Sequence, residues 1–378
     1  MKLPAHTKGY KVTPEGAVNF IRVTVYLTCI SFPLTERTKV RINYEIILWL
    51  SIFLSISLFA PLLASIIKYS DDTFVVMKSF ILMSAISNYV IKVIIVRIYH
   101  KELQQLGSAL DEFIKKANES EKIILQKYVD NTWKFHGFMT CSYYLTATAV
   151  LLGPLILPQK FPTDAVYPFP VDNQIISYIV YLHQCIVGYQ CSAGMALDCQ
   201  AALFLWYLSA RFEILISEAK NVKTFDELRN YIKKHQIILL YAEELIRPTR
   251  LIAFVTVIMT KIGMIFGGIV LISDEPLVIK IQFAILVIST TINIYVCAWA
   301  ADNLITVSST AMSNAIFEIS WLHAPKLRNL LQTVIHRTQK PVSIKIPGLL
   351  ETLSNEYYAQ FLSAAFSCFA AARVAVSS

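Results

Sequence analysis

The strongest constraint on the fold is a series of apolar segments, each close to the length that crosses a lipid bilayer. Residues 46–67 carry no charged side chain. A helix needs about 20 mostly apolar residues to cross a hydrocarbon core of roughly 30 Å. Six further segments approach or meet this length, and the last extends in both directions: residues 74–96, 135–157, 173–209, 249–272, 276–300 and 357–372. The sequence therefore predicts an all-α membrane protein with seven transmembrane helices.

Composition excludes several other classes of protein. Hydrophobic residues make up 55% of the chain and charged residues 16%, against about 45–50% and 25% in soluble domains. These values argue against a disordered chain and against a nucleic-acid partner. The seven cysteines show no metal-ligand spacing, and catalytic sequence motifs are missing. We therefore expect no metal, no cofactor and no enzyme activity.

The distribution of lysine and arginine predicts the orientation of the helices. Residues 1–44, 97–134, 211–247 and 326–345 together contain 26 of these basic residues. The opposite side has only Lys68, Lys160 and Arg373. Because basic connections stay on the cytoplasmic side, we expect a cytoplasmic N-terminus and, with seven spans, an extracellular C-terminus.

Four charged residues within the apolar segments need a separate explanation. Lys78 and Lys92 are expected to extend their side chains toward opposite membrane faces. Asp198 is expected at or below the inner interface, either solvated or paired with a cation. Lys261 lies near the middle of its span, where a charge is costly without water or a partner. It is therefore predicted to border a water-containing ligand pocket.

Apolar stripes continue into the basic connections, which predicts that several helices extend into the cytoplasm. After the sixth span, apolar residues recur at helical spacing on both sides of Pro325. Such stripes need a surface to pack on, which is either the rest of the chain or a second subunit. The predicted oligomer anchor consists of Phe317, Trp321, Leu327, Leu330, Leu331 and Val334.

The C-terminal third resembles the insect odorant receptor family. The resemblance lies in Phe317, Trp321, Leu330–Leu331, Arg337 and Lys340–Pro341, in this order. It continues through Leu353, Tyr358, Phe361, Ser367, Phe369 and Arg373, and the Phe32–Pro33 pair resembles the family's N-terminal aromatic–proline. Length, orientation and a long fourth helix also fit. Ala370–Ala372 depart from the family, which usually has bulkier aliphatic or hydroxyl residues there.

The resemblance implies an odorant-gated, non-selective cation channel in the plasma membrane of olfactory sensory neurons. Family members assemble as tetramers with a shared co-receptor subunit and bind small volatile molecules. The implied divisions are a cytoplasmic N-terminal segment (1–44), a six-helix ligand-binding region (45–300), anchor helices (301–347) and a pore-lining seventh helix (348–378). The expected partners of the chain are therefore the co-receptor subunit, membrane lipid and a small volatile ligand.

Candidate ligand-binding residues are expected in the outer half of the bundle. A mostly apolar lining with few polar groups suits a small volatile molecule, although aromatic stripes also occur in cores and on lipid-facing surfaces. The predicted set is Met77, Phe80, Ile81, Tyr144, Thr148, Leu151, Tyr178, Tyr181, Cys185, Lys261, Met264 and Gly268.

Small and weakly polar residues follow one face of the last helix. Such a stripe permits close approach of helices around an axis, although it also fits packing against the other six helices. The predicted pore-lining residues are Ser363, Ser367, Ala371, Val374 and Ala375.

Three other classes of multi-span membrane protein are alternatives to an odorant-gated channel. G-protein-coupled receptors have the opposite orientation, and their Asp-Arg-Tyr and Asn-Pro-x-x-Tyr motifs are missing. A secondary transporter would have repeated halves with broken spans, which the sequence does not show. A gustatory-type channel remains the nearest alternative, although its Thr-Tyr…Gln-Phe pattern in the last helix is missing.

Overall fold

The computed structural model describes residues 12–28, 38–156, 159–319, 325–346, 348 and 351–377. Helices account for most of this part of the chain. In chain order they are α1 (Pro14–Thr24), α2 (Thr38–Ser57), α3 (Phe59–Lys68), α4 (Thr73–Ile98), α5 (His100–Lys116), α6 (Glu119–Leu151), α7 (Gln174–Ala219), α8 (Phe225–Ile272), α9 (Leu277–Thr306), α10 (Met312–Phe317), α11 (Pro325–Thr338) and α12 (Asn355–Ser377).

Local sequence explains where two of the long helices begin. Asn118 precedes α6, and its Oδ1 accepts a hydrogen bond from the Glu121 backbone N–H at 2.9 Å, while the Glu121 carboxylate accepts one from the Asn118 N–H. Thr224 and Glu227 form the same reciprocal pair before α8. These capping boxes satisfy backbone donors that the first helical turn leaves unpaired. The basic connections therefore fold into helices continuous with the membrane segments.

Within the described residues, five helical segments are long and apolar enough to cross a membrane. They are Arg41–Lys68, Thr73–Ile98, Gln174–Ala219, Phe225–Ile272 and Leu277–Phe317. The helices α6 and α12, which contain the third and seventh predicted spans, are less apolar. The N-terminal half of α6 is charged, and α12 is rich in alanine and serine. An all-helical membrane bundle is thus confirmed, while the count of seven spans stays a prediction.

The central helix of the bundle is α7, which packs against α4, α6, α8 and α9. Its small residues permit a close crossing with α4. A Cβ atom on Gly194 would lie 3.1 Å from the Tyr89 Cα atom, which is closer than ordinary van der Waals contact. A glycine is therefore needed for the backbones to approach to this distance.

We call the half of the bundle that contains α5, α11 and the α7–α8 connection the basal end. The largest hydrophobic cluster fills it, with residues from α1, α5, α6, α7, α8 and α10. Exposed ion pairs surround this core, including Lys127–Glu213 at 2.6 Å and Lys234–Glu218 at 2.7 Å. Such exposed pairs add little stability, so apolar packing holds the basal end together.

The opposite end, which we call the apical end, contains the connection from residue 159 to residue 173. Here α12 packs along α8 and α9. Phe361 and Ala365 of α12 are buried against Met264 and Ile294, and the Phe369 ring lies over Gly268. One face of α12 is therefore covered by the chain itself, and the other face stays exposed.

Candidate functional site

An apolar cavity of about 160 Å³ lies between the helices in the apical half of the bundle. Its walls come from residues 81–88 of α4, 143–151 of α6, 184–195 of α7, 259–263 of α8 and 286–290 of α9. Leu58 and the buried Pro162–Thr163 pair complete the lining on the apical side. Five long helices thus converge on one small cavity.

The cavity wall carries no formal charge. Among its described lining residues, none is Asp, Glu, Lys, Arg or His. Several lining polar groups are already used: the Ser192 hydroxyl donates to the Tyr143 carbonyl at 3.0 Å, and the Gln184 amide donates to the Tyr167 hydroxyl at 3.0 Å. Asn88 Oδ1 and Thr163 Oγ1 are buried without a hydrogen-bond partner in the described part of the chain. The cavity therefore suits a neutral, mostly apolar molecule with few polar atoms.

A buried ion pair lies on the basal side of this cavity. Lys92 of α4 and Asp198 of α7 have fully buried side chains, with 2.7 Å between Lys92 Nζ and Asp198 Oδ2. Lys92 Nζ also donates to the Gly194 carbonyl at 3.1 Å. Thr256 of α8 donates to Asp198 Oδ1 at 2.8 Å, and Asn293 of α9 donates to Asp198 Oδ2 at 2.5 Å. Four helices are thus joined at one polar centre.

The ion pair also contacts the cavity wall through α6. Tyr143 lines the cavity, and its hydroxyl donates to Asn293 Oδ1 at 2.5 Å. Asn88 lines the cavity one helical turn before Lys92 on α4. The cavity floor and the ion pair are therefore linked by residues on neighbouring helical turns.

The expectation that Lys92 reaches a polar membrane face was wrong. Its side chain is enclosed by α4 and α7 and is directed at Asp198 rather than at an interface. Asp198 forms an ion pair, which was one of the two expected outcomes, but it is not at a solvated interface. The physical reason is that the pair and its hydrogen bonds compensate both charges inside the bundle, which removes the need to reach water.

Comparison with protein families identifies the chain. The family model of the 7tm Odorant receptor matches residues 72–366. The chain belongs to the odorant receptor family. It is a multi-pass membrane protein, and the resemblance seen in its C-terminal third extends over most of its length. No curated protein matches its sequence.

The fold of this odorant receptor is also seen in solved structures. One is the insect olfactory receptor OR5 from Machilis hrabei in complex with eugenol, which matches with a TM-score of 0.76 and 12% sequence identity. The match covers 95% of this chain and 98% of that chain. A second structure of the same receptor, described without a ligand, has a TM-score of 0.75 at the same identity and coverage. At this identity the likeness establishes the fold.

Two of the predicted ligand-binding residues, Ile81 and Leu151, line the cavity. Two other predicted residues lie in α4 with Ile81 but face elsewhere. Met77 packs with Phe283 at the apical end, and Phe80 is half-exposed and stacks on Phe266. The helices α4 and α6 thus line the cavity, but mostly with residues other than the predicted ones.

The predicted residues of α6 and α7 mostly form a second polar and aromatic contact beside the cavity. The Tyr144 ring stacks on Tyr189, and its hydroxyl donates to the Thr24 carbonyl of α1. Thr148 also hydrogen-bonds the Tyr189 hydroxyl at 3.3 Å. Tyr181 donates to the Leu151 carbonyl at 2.9 Å. Cys185 is partly buried and Tyr178 is exposed, and neither lines the cavity.

Lys261, Met264 and Gly268 lie on the face of α8 that meets α12 rather than on the cavity face. Met264 and Gly268 border an apolar groove between α8, α9 and α12. Lys261 is half-buried and does not line the cavity. It shares a helix face with Val257 and Met264, which pack against α12. The cavity residues of α8 are instead Met259, Thr260 and Gly263.

The predicted pore-lining residues occupy the exposed face of α12. Ser363, Ser367, Ala371 and Val374 are exposed in the single chain. Ala375 belongs to the same helix, and its side chain lies outside the described residues. These positions are opposite Phe361 and Ala365, which pack on the bundle. Among the described residues, the stripe therefore lies on the exposed face of α12 rather than on the face buried against α8 and α9.

The predicted anchor residues divide into two groups. Leu331 and Val334 are buried in the largest cluster of the chain itself, whereas Phe317 is exposed. Leu327 and Leu330 belong to α11 but their side chains lie outside the described residues, as does Trp321. Within the described part, the apolar face of α11 thus packs on its own chain.

Most of the residues that line the cavity are not among those predicted from the sequence. Asn88, Met195 and Ser289 belong to spans in which apolar residues surround the helix on nearly every face, so periodicity alone does not distinguish the faces. One signal was available for the ion pair: Lys92 and Asp198 are opposite charges within two predicted spans. Opposite charges in separate spans tend to pair inside a membrane bundle.

Proposed function

We propose that this receptor is a subunit of an odorant-gated, non-selective cation channel. In this proposal a small volatile molecule binds in the 160 Å³ cavity and a central pore is lined by α12. The observation that supports it most directly is the uncharged cavity lined by five helices in an odorant receptor fold. A receptor of the same fold has been solved in complex with a small molecule, eugenol, which supports an equivalent use of this cavity.

The proposal includes seven transmembrane helices with a cytoplasmic N-terminus and an extracellular C-terminus. The basal end would then lie in the cytoplasm, and the apical end would face the odorant. Support comes from the positive-inside rule: the segments that contain 26 lysines and arginines include α5, the first half of α6 and the α7–α8 connection. All three belong to the basal end.

The proposed assembly is a hetero-tetramer with an odorant co-receptor in the plasma membrane of olfactory sensory neurons. The exposed small-residue stripe of α12 supports a pore at the centre of the assembly, because residues of this size permit close helix approach and leave a wettable surface. The exposed Phe317 supports a contact between basal ends of neighbouring subunits. The finer assignment to pore and anchor belongs to this proposal.

Heterologous expression with and without a co-receptor tests the function. Cells are perfused with a panel of volatile molecules while whole-cell current is recorded under conditions that block G-protein signalling. We expect a reversible cation current in co-expressing cells. Responses that vanish when G proteins are blocked would indicate a metabotropic receptor, and substrate-coupled uptake without unitary openings would indicate a transporter.

A further inference from the structure

Asn88 Oδ1, an acceptor atom in the cavity wall, has no hydrogen-bond partner among the described residues. Asn88 is 3% exposed, and its Oδ1 makes no hydrogen bond with the residues that the structure describes. Buried polar atoms are nearly always hydrogen-bonded, because an unpaired one loses its interaction with water and gains nothing. Since Asn88 lines the cavity, a molecule bound there is placed to supply the missing partner.

The orientation of the Asn88 amide identifies which partner fits. Its Nδ2 donates to the Met195 sulfur at 3.4 Å. A thioether sulfur accepts hydrogen bonds but cannot donate them, so the amide nitrogen faces Met195 and the oxygen stays the unpaired atom. An amide oxygen is only an acceptor. The missing partner must therefore be a hydrogen-bond donor.

Three polar side chains next to the cavity floor are already held by other acceptors. The Ser192 hydroxyl is held by the Tyr143 carbonyl, and the Tyr143 hydroxyl is held by Asn293. Lys92 is directed at Asp198 and the Gly194 carbonyl. Each of these donors already has an acceptor, and Asn88 Oδ1 has no partner among the described residues, so a donor on a bound molecule can fill this position.

The uncharged wall narrows the class of donor further. A protonated amine would bring a cation into a cavity whose described lining has no carboxylate, and burial of an unpaired charge is costly. An ionised carboxylic acid would meet no basic residue and has no proton to donate. A neutral hydroxyl satisfies Asn88 at little desolvation cost. Ketones, aldehydes, esters and ethers would place an acceptor against an acceptor.

Cavity size sets the scale of the rest of the molecule. A cavity of about 150 Å³ accommodates one benzene molecule, and this cavity measures about 160 Å³. Molecules of about six to ten non-hydrogen atoms therefore match it. The unpaired Thr163 Oγ1 at the apical side leaves room for a second, weaker polar contact.

We propose that the cavity selects small neutral alcohols and phenols, whose hydroxyl donates a hydrogen bond to Asn88 Oδ1. This inference rests on the proposed function, because it names the ligand class of the same cavity. In this arrangement the hydroxyl lies at the basal side of the cavity, next to Met195, and the apolar part extends toward Leu151 and Pro162. Asn88 is then the residue that determines specificity.

Matched ligands of equal size test the selection. The first set is 1-hexanol, hexanal, methyl pentyl ether and heptane; the second is benzyl alcohol, benzaldehyde and anisole. The half-maximal concentration for evoked current is measured in cells that express the receptor with a co-receptor. We expect each alcohol to act at a concentration about tenfold or more below its aldehyde and ether, since one buried hydrogen bond separates them.

The variant Asn88→Leu removes the acceptor and keeps a similar volume. We expect its half-maximal concentration for alcohols to rise about tenfold while that for ethers changes less than about threefold. Ser87→Ala is the matched control: it removes a hydroxyl from the same helix that bonds the Met83 carbonyl and does not line the cavity. It should leave all concentrations unchanged.

Equal potency of alcohols and ethers in the wild type would overturn the inference, as would an Asn88→Leu variant that weakens every ligand equally. If this variant does not reach the surface, purified wild-type receptor decides: alcohols should raise its Tm more than equal concentrations of the matched ethers, and equal shifts would contradict the proposal. Currents from other volatiles without preference for alcohols would defeat this inference alone. Absence of any odorant current, with a control receptor responding in the same cells, would defeat the proposed function instead.

Discussion

At the scale of single residues, the Lys92–Asp198 pair is the most consequential feature outside the cavity. Both charges are fully buried, and each compensates the other. Asp198 also accepts hydrogen bonds from Thr256 and Asn293, and Lys92 donates one to the Gly194 carbonyl. Burying two charges contributes little net stability even in good geometry, whereas removing one partner leaves an uncompensated charge. The pair therefore fixes the arrangement of α4, α7, α8 and α9 more than it stabilises the fold.

We predict that Lys92→Met and Asp198→Asn each lower the free energy of unfolding by about 3–5 kcal/mol, because each leaves a buried group without its partner. Thermal unfolding of receptor purified in detergent measures the change. The double variant should lose less than the sum of the two. Lys116→Met breaks the exposed Lys116–Glu112 pair and should cost less than about 1 kcal/mol. Single variants as stable as the Lys116 control would refute this account.

The sequence allowed charge positions to be predicted but not their partners. Lys92 and Asp198 are 106 residues apart, and nothing in either span specifies which neighbouring helix it faces. The sequence therefore predicts Lys92 at an interface and Lys261 at the ligand pocket. Lys261 does not line the cavity; by helical spacing it shares the face of Val257 and Met264, which pack against α12.

At the scale of helices, the crossing of α4 and α7 brings Asn88 and Lys92 next to Met195 and Asp198. This proximity depends on Gly194, where any side chain would meet the backbone of Tyr89. The crossing therefore positions both the cavity floor and the ion pair. Small residues serve this purpose in membrane bundles because close backbone approach increases van der Waals contact.

We predict that Gly194→Ala lowers the free energy of unfolding by about 1–3 kcal/mol, since the added methyl group separates two packed helices. Gly137 in α6 provides a matched control, because a Cβ there meets nothing within 4 Å. Gly137→Ala should be neutral or stabilise the receptor by up to about 1 kcal/mol through helix propensity. Detergent-purified variants are compared by thermal unfolding, and equal effects at the two glycines would exclude a close α4–α7 crossing.

A second prediction at this scale concerns the exposed face of α12. Replacing Ser367, Ala371 or Val374 with a bulky or charged residue should change single-channel conductance or ion selectivity more than ligand potency. The reason is that the side chains of these three residues are exposed and do not line the cavity. Phe361→Tyr, on the packed face, is the comparison. Unchanged conductance and selectivity at all three positions, in assembled channels, would remove this face from the pore.

Helix existence was well predicted from the sequence, and helix faces were not. Apolar length located the spans, and capping boxes at Asn118 and Thr224 explain the helical basic connections. In a membrane bundle, however, lipid-facing and core-facing positions are both apolar, so the periodicity that orients a surface helix is weak. The sequence predicts Ile81, Leu151, Met77 and Tyr144 at the cavity. Ile81 and Leu151 line it, whereas Met77 and Tyr144 lie on other faces of the same helices.

At the scale of the whole molecule, the proposed orientation places the basal end in the cytoplasm. The Asn118-Glu119-Ser120 sequon tests it, since Asn118 begins α6 at the basal end. We predict that Asn118 is not glycosylated, because the modifying enzymes act only on lumenal segments. Receptor expressed in animal cells is compared before and after glycosidase treatment by gel mobility.

A sequon inserted beside Asp172, whose side chain is 95% exposed at the apical end, supplies the positive control and should be modified. A glycosidase-sensitive shift that disappears in Asn118→Gln would reverse the orientation. The reversed receptor would match the topology of G-protein-coupled receptors, and the cytoplasmic assignment of the basal end would be lost. Both sites are read from the same protein preparation, so expression level does not affect the comparison.

The length of the apolar segments predicted a helical membrane protein, and the C-terminal residues predicted the family. Both predictions are confirmed. Assembly could not be predicted with the same certainty. Leu331 and Val334 were assigned to an oligomer anchor, yet they are buried within the chain. A single sequence does not distinguish an apolar stripe that packs internally from one that binds a second subunit.

The most direct test of the account records single channels in excised inside-out patches from cells that co-express a co-receptor, with no nucleotide in the bath. The account predicts that an odorant opens cation-conducting channels within the isolated patch. Ala147→Phe, which fills the cavity wall, should abolish this response while spontaneous openings persist. Openings that require GTP, or an Ala147→Phe variant with wild-type odorant sensitivity, would contradict the claim that a ligand in this cavity gates the channel.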